Sequence, residues 1–114
     1  MIVAHFFIDD NLYYYSFKIK GHAQYDALGK DIVCAAVSSA VQLTINLIAQ
    51  SLTQKLNITT NKEEALIELM IDSVNRKKVS LFIKSLHDHL LEISIKYPEN
   101  LLSSLIKKNK NIGS

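Results

Sequence analysis

The chain has a single cysteine, a single proline, three glycines and no tryptophan in 114 residues. One thiol cannot close an internal disulfide, so a stapled secreted domain is excluded and a reducing cytoplasm is the expected compartment. The scarcity of proline and glycine leaves few loops and no low-complexity tract. The opening MIVAHFFIDD has no basic segment ahead of its apolar run, which argues against a signal peptide. The most apolar stretch, Ile32 to Val37, is far shorter than a bilayer span, so no membrane role is expected. The formal net charge is only +2, too small to point to nucleic acid by itself. What is plentiful is apolar material: 48% of the residues are hydrophobic, enough for the core of one domain spanning 1–114.

Patterning places the elements. Met1 to Ile8 is an apolar run, Asp9-Asp10-Asn11 is a turn signal, and Tyr13 to Lys20 alternates. In that second run Tyr13, Tyr15, Phe17 and Ile19 share one face, so the two runs are expected to form a hairpin. Gly21 to Lys30 has no sustained period and reads as a loop. From Asp31 to Leu52 the period is helical, with Cys34, Val37, Val41, Ile45, Ile48 and Leu52 on one stripe. Asp31 suits the N-cap or first turn, where its charge complements the helix dipole.

Two short alternating runs, Leu56 to Thr60 and Ala65 to Ile71, predict further strands. A second helix is predicted from about Arg76 to Tyr97, with Val79, Phe82, Ile83, Leu86, Leu90 and Ile93 inward, and Pro98 ends it. Leu101 to Lys108 reads as a short third helix, and the tail frays from about 107. The expected fold is α+β, in the order ββαββα. A four-stranded, mainly antiparallel sheet carries two long helices on one face.

One segment carries chemistry. His22 follows a strand in a loop opened by Gly21, and Cys34 lies at the expected start of a long helix. A thiol must become a thiolate to attack a carbonyl, and free N–H groups at a helix N-terminus favour the anion. An imidazole within reach would take the proton and later return it to the leaving amine. The free N–H groups near Val33, Cys34 and Ala35 could hold the oxyanion. Asp31 could orient the imidazole, and Ser38, one turn beyond Cys34, could hydrogen-bond within the site. Each also has a plainer reading: Cys34 as a small core hydrophobe, His22 as an exposed loop residue, Asp31 as a cap and Ser38 as a surface hydroxyl.

Beyond the residues themselves, GHA at 21–23 followed by GKDIVCAAVSSAV at 29–41 closely resembles the signature of the ribosomal-processing cysteine proteases, the Prp family. The resemblance runs over nearly the whole chain, up to about Pro98. It implies that Cys34 is the nucleophile and His22 its base. It further implies a defined job: removal of the N-terminal extension of large-subunit ribosomal protein twenty-seven, by a homodimer, with a loop over the site. Here that loop would comprise Gln24, Tyr25, Asp26, Ala27, Leu28, Gly29 and Lys30. No cofactor and no metal are expected.

The remaining candidates are weak. His87 and His89, two apart on a helix, point in different directions and make a poor metal pair. His5 has no evident partner. No CxxC, HExxH or glycine-rich phosphate loop is present. Arg76-Lys77-Lys78 and Lys107-Lys108-Lys110 read as solvated helix ends, with weak ribosome association as the functional alternative. The rival functions are a non-catalytic ribosome-associated module that binds peptides and, more distantly, a redox sensor built on the single thiol.

Overall fold

The computed structural model describes residues 1–22 and 28–108, with 28–31 as helix backbone. Strands β1 (Ile2–Ile8) and β2 (Tyr14–Lys20) lead into helix α1 (Leu28–Ser51). The hairpin of β3 (Asn57–Asn61) and β4 (Leu66–Met70) follows, then a single 3-10 turn at Ser73–Asn75. Helix α2 (Arg76–Lys96) and β5 (Leu101–Lys107) complete the chain. The five strands form one sheet in the order β3-β4-β2-β1-β5. β1 pairs antiparallel with β2 and parallel with β5, while β2 and β3 both pair antiparallel with β4.

The sheet is therefore five-stranded and mixed, not four-stranded and antiparallel. The segment expected as a third helix is strand β5. Its apolar residues Leu101, Leu102, Leu105 and Ile106 fit a helical spacing as well as a pleat, so local pattern could not separate the two. The free edge of β1 does: its unpaired N–H and C=O groups are satisfied along all seven residues by β5 in parallel register.

The core lies between the sheet and the two helices. Strand alternation puts Ile2, Ala4, Phe6 and Ile8 inward from β1, with Phe6 opposite Phe17 and Ala4 opposite Ile19. Alternation in β2 breaks at its start, where a register shift lets Ile8 pair with Tyr14 and leaves Tyr15 as the extra residue of a bulge. Tyr15 nevertheless joins Phe17 and Ile19 in the buried core, as expected, while Tyr13 lies outside the strand and is only half covered. From α1, Val33, Val37, Val41 and Ile48 are buried, whereas Cys34 and Ile45, with Leu52 just past the helix end, are only half covered. From α2 the buried set is Val79, Ile83, Leu86, His87 and Leu90. The stretch Ile32–Ser51 is long and apolar enough to cross a bilayer by length and composition, contrary to the expectation from its short Ile32–Val37 run. In this fold its buried valines belong to the core.

Two residues read as bystanders have structural work. Arg76 is not a solvated helix end. It pairs with Asp9 at 3.2 Å, donates from Nε to the Ile71 carbonyl at 3.1 Å and stacks its guanidinium 3.9 Å over the Tyr15 ring. The start of α2 is thereby tied to the β1–β2 turn. His5 does have a partner, the Ser104 hydroxyl at 3.2 Å across the β1–β5 pair.

His87 is buried under the sheet, against the Phe6 ring at 4.7 Å and the Tyr14 ring at 6.3 Å, with Nδ1 2.9 Å from the Ser103 hydroxyl. Burial disfavours the imidazolium and lowers its pKa below the usual 6.5; Asp88 pulls the other way and Lys84 adds to the lowering. The folded state thus binds fewer protons than the unfolded one. Stability from this group is fully present above the unfolded value and is lost as pH falls through the folded one. Urea midpoints are expected to drop between about pH 7.5 and pH 5, with a shallower drop in His87→Gln. Equal slopes in both proteins would refute the assignment.

Candidate active site

The site grows out of the junction between β2 and α1. β2 ends at Lys20, and Gly21 follows with φ of +103°, a conformation that favours glycine. A Cβ at this position would stand 2.5 Å from the Met1 carbonyl oxygen. The Gly21 N–H donates to the Ala65 carbonyl at 3.2 Å, and the Met1 nitrogen donates to the His22 carbonyl at 2.8 Å. His22 is thus held by its backbone from both flanks, while its side chain is exposed. On the dyad that the resemblance implies, Gly21→Ala is expected to displace His22 and cut peptide cleavage roughly 100-fold, because small misplacements of catalytic groups carry such losses. A Gly21→Ala protein that folds and cleaves normally would show that this backbone clamp does not set the site.

Helix α1 begins earlier than its sequence suggests. Leu28, Gly29 and Lys30 are helical, not loop, and Asp31 is the fourth residue of the helix, within its first turn rather than at its cap. Glycine in a helix costs only about 1 kcal/mol relative to alanine, which a 24-residue helix absorbs. Gln24, Tyr25, Asp26 and Ala27, and the side chains of residues 28–31, lie outside the described residues. Cys34 is therefore the seventh residue of α1, in its second turn. Only the first four N–H groups of a helix lack intrahelical acceptors, so the amides of Val33, Cys34 and Ala35 are committed to the helix ladder. They are not available as an oxyanion hole, and the dipole effect has faded by this depth.

The structure does bring His22, Cys34 and Ser38 to one place. All three line a cleft of about 370 Å³ between α1 and the β2–β4 part of the sheet. The helix supplies Val37, Val41, Gln42 and Ile45 as well; the sheet side supplies Ile19, Ala65 and Ile67. No Asp, Glu, Lys or Arg is among the described residues of its wall. Cys34 is half buried and is the only cysteine of the chain. Among the described residues no hydrogen bond joins Cys34 to His22.

Sequence reading placed Val37, Val41 and Ile45 in the core stripe and gave Gln42 no role. The available signal was spacing: Cys34, Ser38 and Gln42 stand at i, i+4 and i+8 on one face. His89, by contrast, lines a different groove between α1 and α2, well separated in role from buried His87.

The family described as Cysteine protease Prp matches residues 1–102. The chain belongs to the Prp family. It is a cysteine protease, so the rival reading as a non-catalytic module gives way. No curated protein matches the sequence. Solved structures do match in fold. A crystal structure of an essential ribosomal processing protease Prp from S. aureus with a covalently linked product peptide superposes with a TM-score of 0.80. The identity is 22%, covering 93% of this chain and 100% of that one. The S. aureus protease in complex with a substrate peptide gives 0.81 at 21% identity, with the same coverage. A Streptococcus mutans protein gives 0.82 at 21% identity, covering 95% and 96% of the two chains. At these identities the likeness concerns the Prp fold, and membership of the Prp family rests on the sequence match.

Proposed function

We propose that this protease works through a Cys34–His22 dyad and removes the N-terminal extension of large-subunit ribosomal protein twenty-seven in the cytoplasm. The observation that carries the reading is the convergence of the chain's only thiol and His22 on one cleft whose described wall is largely apolar. His22 takes the proton from Cys34 Sγ, and the thiolate attacks the scissile carbonyl carbon. The imidazolium then protonates the departing amine, leaving a thioester on Cys34. Water, deprotonated by the same imidazole, hydrolyses it and regenerates the thiol. With the helix amides committed, the Ser38 hydroxyl, one turn from the thiol and on the cleft wall, is the candidate donor to the oxyanion from α1. Asp31 remains a candidate orienting group from its first-turn position.

The choice of substrate is supported by the family and by the wall chemistry, since the described wall carries no Asp, Glu, Lys or Arg and is largely apolar, which suits an apolar peptide segment. The test is incubation with a synthetic peptide spanning the N-terminus of that ribosomal protein from the same organism, read by mass spectrometry. A single internal cut is expected. A peptide bound but left intact by the wild-type protein would restore the binding-module reading.

The homodimer is proposed from the family resemblance and supported by a groove between α1 and α2, where Leu43 and Leu47 stand exposed beside Phe82 and Leu86. Weak ribosome association is proposed through Lys77 and Lys78, which are exposed at the start of α2.

A further inference from the structure

We propose that Gln42 is a specificity residue that grips the backbone of the bound peptide three to four residues from the scissile bond. The inference rests on the protease reading and deepens it. Gln42 lines the same cleft as Cys34 and Ser38, two helical turns along α1. Its neighbours on the wall, Val41 and Ile45, are apolar, as is Ile67 opposite.

The Gln42 amide has one partner on its own helix. Its Nε2 donates to the Asn46 Oδ1 at 2.9 Å, one further turn along the helix. A primary amide has two N–H donors and one carbonyl acceptor. With one donor committed to Asn46, one N–H and the carbonyl oxygen remain. That pair matches the C=O and N–H that a single residue of an extended peptide presents on one edge. An amide of this kind grips main chain without reading a side chain, and its exposed bond to Asn46 biases the side chain toward that geometry before binding.

Position follows from helix geometry. Cys34 and Gln42 are eight residues apart, which at 1.5 Å per residue is about 12 Å along α1. An extended chain covers about 3.3 Å per residue, so Gln42 meets the peptide three to four residues from the bond that Cys34 attacks. Small substrates that stop short of that point forgo the contact.

The experiment compares Gln42→Leu, which keeps the size and removes the amide, with wild type on the ribosomal-protein peptide. KM is expected to rise about tenfold with kcat changed by less than about twofold, the signature of a binding contact made equally in ground and transition states. N-methylation of one peptide residue three or four positions from the cut removes its N–H. It should cost wild type a few-fold and cost Gln42→Leu nothing further. Asn46→Leu should show a smaller rise in KM in the same direction. Affinity for the same peptide is also measured in Cys34→Ala by calorimetry, with and without Gln42→Leu, so that cleavage is not required. A tenfold weaker binding in the double variant supports the proposal even where the protease reading fails. Unchanged affinity and unchanged KM in a folded Gln42→Leu protein would overturn it while leaving Cys34 and His22 untouched.

Discussion

Cys34→Ala is expected to abolish peptide cleavage, with a loss of at least about 10³-fold, and to leave the fold intact. The residue is half buried in a cleft wall and only flanks the core cluster, so a methyl group in its place removes little packing. His22→Ala is expected to give a loss of similar size, because a nucleophile and its base act as one unit and their effects do not add. The double variant should therefore be no worse than either single one. Far-ultraviolet circular dichroism and the urea midpoint check the fold; mass spectrometry of the peptide product checks the chemistry. A Cys34→Ala protein that still cleaves would remove the thiol from the mechanism. A His22→Ala protein with near-normal rates would point to another base and leave only the nucleophile standing.

Deleting the chain after Glu99 is expected to unfold the domain, although the sequence there reads only as a short third helix and a frayed end. β5 supplies the only partner of β1 on its outer edge, over the full length of both strands. Its Leu101 is 1% exposed in the middle of the core, and its Ser103 hydroxyl is the hydrogen-bond partner of buried His87. Removal leaves a free strand edge, an uncovered part of α2 and a buried imidazole without its acceptor or donor. The combined loss, at least about 5 kcal/mol, is comparable to the whole stability of a domain of this size. The milder Leu101→Ala should cost about 2–5 kcal/mol. Denaturant titration separates these outcomes. A truncated protein with a cooperative transition near the wild-type midpoint would show that β5 is dispensable. Truncation after Lys108, which keeps the strand, serves as the control and should leave the midpoint unchanged.

The extent to which this protein is legible in its sequence follows the range of the forces involved. The apolar alternation of Ile2, Ala4, Phe6 and Ile8, the helical stripe through Val37, Val41 and Ile48, and the stop at Pro98 are local signals, and each element they predict is present. The GHA and GKDIVCAAVS segments pointed to Cys34 and His22 as a pair, and the fold places both on one cleft. Other features depend on partners distant in sequence. Leu101–Lys107 is a strand because β1 offered it an edge, about one hundred residues away in the chain. Arg76 is an anchor rather than a solvated end because Asp9 and Tyr15 fold against it. The early start of α1, which moved Cys34 from the first turn to the second, turned on Leu28–Lys30, where a glycine masked the helical period. Gln42 acquired its place in the cleft only when β4 came to lie opposite α1. Periodicity along one chain records which face is apolar; it holds no record of what that face, or an unpaired edge, will meet.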